Sequence, residues 1–247
     1  MAEDRVVLVG VDGSPESLGA VDWAVARAAR ENWRVHILCA YSLPSFTTAS
    51  LDGGYAALDD SAIRSGAQAV VSEAADRAQG KGVTVTNSLE TGDPAGVLVD
   101  LSDEAALTVV GTRGGGGFTD RLLGTVSSAL PAHAHCPTIV VPRHTEGADY
   151  TPVRRIVVGV DGSDSARKAL RWAVREADVW DAELTAIAAV PMASGAGALA
   201  WLPAAVDREQ GLADVRSGLD RAVADALQDH PGVVVRRHAL DGNAAEL

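Results

Sequence analysis

Residues 7–28 read VLVGVDGSPESLGAVDWAVARA, and residues 156–177 read IVVGVDGSDSARKALRWAVREA. Aligned at an offset of 149, they agree at 11 of 22 positions: Val9, Gly10, Val11, Asp12, Gly13, Ser14, Ala20, Trp23, Ala24, Val25 and Ala28. Agreement that dense marks a tandem of one unit about 150 residues long. The expected units are residues 1–145 and 152–247, with residues 144–151 (HTEGADYT) as the linker ahead of Pro152. The local logic of the stretch is strand, turn, helix. Residues 6–11 form a continuous apolar run, as a strand covered on both faces requires. Asp12-Gly13-Ser14-Pro15 is a turn in which Ser14 caps a helix and Pro15 takes its first position. Leu18, Val21, Val25 and Ala28 then recur at helical spacing.

The same alternation continues outward through the first unit. Strands are expected over residues 34–41, 83–89, 107–110 and 138–141. Helices are expected within 55–79, from Pro94, and around Leu122, Leu123, Val126 and Leu130. Strand-helix alternation predicts an α/β fold, an open parallel sheet with helices on both faces. Ligands of such sheets bind beyond the carboxyl ends of the strands, where strand order reverses. The second unit repeats the first strand and helix, then shows strands at 184–190 and 233–236 and a helix near 212–227. Nothing in it corresponds to residues 98–142 of the first, so it is expected to lack the fourth strand, the glycine loop and the fifth strand.

Composition narrows the function classes. With 21 Lys+Arg against 33 Asp+Glu, the net charge is -12, which disfavours nucleic acid and anionic lipid as partners. No run of 18 apolar residues exists to span a membrane, and the acidic start MAEDR is unlike a signal peptide, so a cytoplasmic location is expected. Two cysteines, Cys39 and Cys136, supply neither a disulfide framework nor a four-thiolate metal site. His133 and His135 precede Cys136 with no carboxylate beside them, a weak metal pattern. Trp23 and Trp172, at equivalent helix positions, are expected to pack against the sheets.

The densest chemical signal is GTRGGGGFTDRLLGTVS, residues 111–127, which begins where an apolar strand ends. Glycines let the backbone approach a ligand closely, and successive amides can converge on phosphate oxygens. Gly124, Thr125 and Ser127 add donors at a helical turn whose partial positive end favours anions. The P-loop G-x-x-x-x-G-K-[ST] and the dinucleotide G-x-G-x-x-G are both absent, because neither lysine, Lys81 or Lys168, is so placed and the first strand leads into Gly10-Val11-Asp12-Gly13. Asp12, at the carboxyl end of that strand, has two readings: it accepts from a sugar hydroxyl or holds a metal through water, or it serves only the turn.

These motifs together resemble the universal stress protein family. The carriers are VVLVGVDGS (6–14), its copy IVVGVDGS (156–163), the Gly111-x2-Gly114-x9-Gly124-Thr125 spacing of the family's ATP-binding branch, and HAHCPTIVVP (133–142). The resemblance implies a five-stranded parallel sheet ordered 3-2-1-4-5. It implies ATP with Mg²⁺ in the first unit, with Gly10 and Asp12 at the ribose end and the backbone of Ala40 at the adenine. Gly111, Thr112, Arg113, Gly114, Gly115, Gly116 and Gly117 would wrap the phosphates, completed by Gly124, Thr125, Val126 and Ser127. In the second unit only Gly159 and Asp161 match, without a phosphate cradle. The family also implies a homodimer through the edge strand Thr138–Val141. A stress-response sensor or regulator with slow or no hydrolysis is the expected function. The alternatives are a true ATPase or nucleotidyl-transferring enzyme with Asp12 holding Mg²⁺, and a nucleotide-free dimerisation module.

Overall fold

Val7, Leu8 and Val9 are successive and all buried, so the first strand, β1 (Val6–Gly10), is covered on both faces. This computed structural model describes residues 5–42, 60–114, 123–143, 150–190 and 208–243. The helix α1 (Pro15–Glu31) starts where the sequence places it: the Ser14 hydroxyl accepts from the Ser17 N–H at 3.2 Å, and Pro15 fills the first helical position. It ends at Asn32, which takes a left-handed φ of 56° and returns a hydrogen bond to the Ala28 carbonyl. Then follow β2 (Arg34–Tyr41), α2 (Asp60–Ala78), β3 (Val85–Thr91), α3 (Pro94–Leu101), β4 (Leu107–Gly111), α4 (Thr125–His133) and β5 (Thr138–Val141). All pairings are parallel, in the order β3-β2-β1-β4-β5. The doubly covered five-stranded sheet inferred from the sequence is the fold of the first unit.

Alternation along β1 divides its side chains between two layers. Leu8 points to a cluster with Leu38, Leu98, Val110 and Leu130, which brings in α3 and α4. Val7 and Val9 point the other way, to the layer of α1 and α2, which pack on each other. Arg27 of α1 is wholly buried, its guanidinium 4.6 Å from the Trp33 ring and paired with Glu31 at 2.7 Å. β3 begins two residues later than the sequence pattern suggested. Gly80 and Gly82 hold φ of +73° and +78°, so the turn persists to Gly82, and pairing of Val35 with Val85 sets the register. The part of the expected second helix at residues 55–59 lies outside the described residues.

The chain divides into two units, Met1–Thr151 and Pro152–Leu247. The second contains β6 (Arg155–Gly159), α5 (Asp164–Trp180), β7 (Glu183–Val190), α6 (Arg208–Ala226) and β8 (Val235–Asp241). Its described strands form a parallel sheet in the order β6-β7-β8. Leu170, Val174, Leu184, Ala186, Leu219 and Val223 make its core. β8 also starts later than the pattern 233–236 indicated: Val233 donates to the His230 carbonyl and is still part of the turn, and Leu184 pairs with Val235 as Val35 does with Val85.

An ion cluster clips α1 to the end of α2. Arg77 and Lys81 donate to Asp22 at 2.6 and 2.9 Å. Partial burial raises the Asp22 pKa, but hydrogen bonds from Arg77 and Lys81 outweigh it and hold the carboxyl below its ordinary value. A depressed carboxylate contributes stability that is present above the unfolded pKa, about 3.9, and fades as pH falls through the folded value. The Asp22 side chain is 36% exposed, so solvent screens the pair. Asp22→Asn is therefore expected to cost only about 0.5–1 kcal/mol at pH 7. That cost should shrink towards zero when urea unfolding is repeated below about pH 3.

Candidate functional site

In the order β3-β2-β1-β4-β5 the chain leaves β1 in one direction to β2 and later joins its other side with β4. The carboxyl ends of β1 and β4 therefore open the crevice at which such sheets take ligands. From the β1 side comes Asp12, which is exposed. Its Oδ1 accepts from the Ser14 hydroxyl at 2.6 Å and the Ser14 N–H at 3.1 Å. Its own N–H donates weakly to the Ser17 hydroxyl at 3.4 Å. Asp12 thus makes the turn, and the turn fixes its carboxylate at the strand end.

From the β4 side come Gly111, Thr112, Arg113 and Gly114. A Cβ placed on Gly111 would lie 2.7 Å from the Glu16 carbonyl carbon, so the end of β4 runs directly against the first turn of α1. A Cβ placed on Gly114 would lie 2.1 Å from Asp12 Oδ2. Backbone and carboxylate thus meet only because residue 114 has no side chain. The Ser14 hydroxyl also lies 3.3 Å from the Arg113 carbonyl. A hydroxyl has one proton, and the shorter contact to Asp12 takes it, so the Arg113 contact is secondary. Gly10 at the base of the crevice is also closely approached, though by a side-chain tip: a Cβ there would lie 2.8 Å from Leu98 Cδ1.

The returning half of the loop is tied to the outgoing half. Gly124 N–H donates to the Thr112 carbonyl at 2.8 Å, and the buried Ser127 hydroxyl donates to the same oxygen at 2.7 Å. The Ser127 hydroxyl is therefore spent on closing the loop, and Ser127 can offer an anion its N–H but not that proton. Gly124 caps α4 without a side-chain hydrogen bond. Thr125, Val126 and Ser127 make up the first turn of α4, where N–H groups have no acceptor within the helix. Ser127→Ala is expected to cost about 1 kcal/mol in denaturant unfolding, through loss of the loop closure.

Ala40 falls at the third side of the crevice. Leu38 C=O accepts from Val11 N–H on the β1 side, whereas Tyr41 C=O accepts from Gly92 N–H on the β3 side. By alternation the backbone groups of Ala40 face the side that β1 has already left. The structure thus brings Gly10, Asp12, Ala40, Gly111, Thr112, Arg113, Gly114, Gly124, Thr125, Val126 and Ser127 around one crevice. Gly115, Gly116 and Gly117 lie outside the described residues. Sequence reasoning treated Ser14 as a helix cap alone and passed over Ser17. The signal was the second serine of Ser14-Pro15-Glu16-Ser17, whose hydroxyl donates to the Ser14 carbonyl at 2.9 Å.

The other candidates fall elsewhere. His135 donates its N–H to the Ser102 hydroxyl at 2.8 Å, and Cys136 Sγ lies 3.1 Å from Thr108 Oγ1. Cys39 and Cys136 are both free thiols. Among the described residues no group of three or more His, Cys, Asp or Glu side chains converges as a metal cage. In the second unit Asp161 repeats the turn, accepting from Ser163 N–H at 2.9 Å. Hydrogen bonds from Ser163 hold its carboxyl below the ordinary value. Among the described residues no helix is long and apolar enough to cross a membrane.

Comparison with known proteins gives the family. A sequence model of the Universal stress protein family matches residues 5–142 and again 152–247. The chain belongs to the universal stress protein family. Among curated relatives, universal stress protein Rv2623 of Mycobacterium tuberculosis is 32% identical over 192 residues, covering 73% of this chain and 62% of the relative. Universal stress protein Rv1996 of the same species is 31% identical over 197 residues, covering 73% and 61%. The chain thus spans about three fifths of the length of these curated relatives. Among solved structures, a universal stress protein from Archaeoglobus fulgidus is 18% identical with a TM-score of 0.66, covering 97% of this chain and 78% of its own. A universal stress protein crystallised in complex with cAMP is 34% identical with a TM-score of 0.44, covering 57% and 98%.

Proposed function

We propose that the first unit binds an adenine nucleotide, ATP with Mg²⁺, and that the protein acts as a stress-response regulator or sensor whose state follows occupancy of that site. One observation carries the reading. At the switch point between β1 and β4, the Asp12 carboxylate and the Gly114 backbone close on each other in a way that any side chain at 114 would prevent. Donors for phosphate stand beside them in the uncapped first turn of α4. An acceptor for ribose hydroxyls is Asp12, oriented by Ser14. The backbone of Ala40 faces the place an adenine edge would take.

The donor set also fits Mg²⁺ of the kind carried by a nucleotide. That ion keeps several waters and needs one or two carboxylates plus phosphate oxygens, not a protein cage. Asp12 would be its protein contact, and the ion would supply charge neutralisation at the phosphates. The residues present would bind and orient the nucleotide. Freshly purified protein, denatured and examined by mass spectrometry, should release an adenine nucleotide. Phosphate release from added ATP should stay well below about 1 s⁻¹. Faster turnover, abolished by Asp12→Ala, would make the protein an enzyme instead.

The outer edge of β5 (Thr138–Val141) faces no strand among the described residues. Pairing of this edge with the same strand of a second copy is the homodimer we propose, since an apolar edge invites association. Light scattering should give twice the chain mass, and Ile139→Lys should halve it. A monomer mass for the wild type would contradict the dimer.

A further inference from the structure

Arg143 stands where the chain leaves β5, level with the loop that leaves β4. Gly111 pairs with Val141, and Thr112 N–H donates to the Val141 carbonyl at 2.9 Å. Continued by two residues, that register sets Arg143 beside Arg113. The Arg143 side chain turns towards α1: its Nε lies 3.9 Å from Glu16 Oε1. Gly111 lies between β5 and Glu16, because a Cβ placed on it would be 2.9 Å from Glu16 Cβ. The guanidinium therefore reaches across the carboxyl end of β4, where Thr112, Arg113 and Gly114 leave the sheet.

The pair with Glu16 leaves Arg143 open to a ligand. At 3.9 Å the contact is longer than a hydrogen bond. The Arg143 side chain is 79% exposed, against 12% for Glu16. A guanidinium carries five donors in a planar fork that matches phosphate oxygens. Strand order says which phosphate it meets. Across the sheet the residues run Ala40 on β2, Asp12 after β1, Gly111 to Gly114 at the end of β4, and Arg143 after β5. With the base at β2 and the ribose at Asp12, the first phosphate lies at β4 and the tail beyond it points to β5. The step from β4 to β5 is about 4.8 Å. A triphosphate spans that step and a monophosphate does not.

We infer that Arg143 is a specificity-determining residue, whose guanidinium takes the outermost phosphate of a nucleoside triphosphate. It exchanges the loose contact with Glu16 for a charge-assisted, bidentate one. Glu16 holds the guanidinium over β4 in the meantime and competes with phosphate for it. The inference deepens the nucleotide reading above and rests on it.

The test is calorimetric titration of the full, nucleotide-stripped chain with ATP and Mg²⁺ and, separately, with AMP. Arg143→Ala should weaken ATP about tenfold or more, the worth of a charged hydrogen bond, and change AMP by less than about twofold. Arg143→Lys should recover part of the ATP affinity, as a point charge without the fork. Glu16→Gln removes the competing charge and should tighten ATP while leaving AMP unchanged. ATP affinity indifferent to Arg143→Ala, with the wild type binding, overturns the inference alone. Equal losses of ATP and AMP in Arg143→Ala would mark a structural role and overturn it too. A wild type that binds neither nucleotide overturns the nucleotide reading and this inference with it.

Discussion

Gly114→Ala is expected to abolish nucleotide binding while leaving the first unit folded. The added Cβ would stand 2.1 Å from Asp12 Oδ2, far inside contact distance. Gly114 is exposed and has no left-handed φ, so alanine is acceptable to the backbone itself. The conflict is resolved by the softer partner: the Asp12 carboxylate swings away and gives up its hydrogen bonds from Ser14. Stability should then fall by no more than about 1 kcal/mol, the worth of an exposed charged hydrogen bond. Affinity should fall by about two orders of magnitude or more, because a displaced acceptor and a narrowed backbone cradle act together. Circular dichroism with urea unfolding reads the first quantity and calorimetric titration the second.

Gly111→Ala should have the reverse profile. Its Cβ would lie 2.7 Å from the Glu16 carbonyl carbon and 2.9 Å from the Glu16 carbonyl oxygen. These are main-chain atoms of the first turn of α1, and no rotamer change relieves the clash. Either α1 lifts off the sheet or β4 shifts its register with β5, where Gly111 pairs with Val141. Overpacking of this kind costs about 3 kcal/mol or more. The expected outcome is a large fall in the unfolding midpoint, measured by denaturant or heat, with binding lost as a consequence of lost structure. Gly10→Ala should be milder, because its conflict is with the tip of Leu98, a side chain that can rotate.

The contrast between these glycines shows where sequence reading reaches and where it stops. The repeated VGVDGS turn, the buried run of β1 and the Ser14-Pro15 helix start were legible because each is a local pattern with one physical meaning. Alternation implied a parallel sheet, and the order 3-2-1-4-5 came from the resemblance to the family. β3 and β8 began later than their apolar patterns suggested, because the boundary was set by left-handed glycines before β3, by the Val233–His230 turn before β8, and in both by pairing with the neighbouring strand. Gly111 and Gly114 appeared in the sequence as members of one phosphate-wrapping loop. In the fold they differ: Gly111 is a packing residue against Glu16, and Gly114 makes room for Asp12. Ser127 read as a phosphate donor, yet its hydroxyl closes the loop on Thr112. The two glycine distinctions depend on contacts between residues about a hundred positions apart, and the serine one on a bond across the loop 15 positions long; no spacing rule carries them.

The central claim is that Asp12, Gly114 and the first turn of α4 form one nucleotide site in the first unit. Calorimetric titration of ATP with Mg²⁺ into the purified, nucleotide-stripped chain at several temperatures tests it most directly. A saturable isotherm with one site per chain, lost in Gly114→Ala and retained in Asp161→Ala, is the predicted result. No heat of binding at any temperature, or an isotherm that Gly114→Ala leaves unchanged, would contradict it.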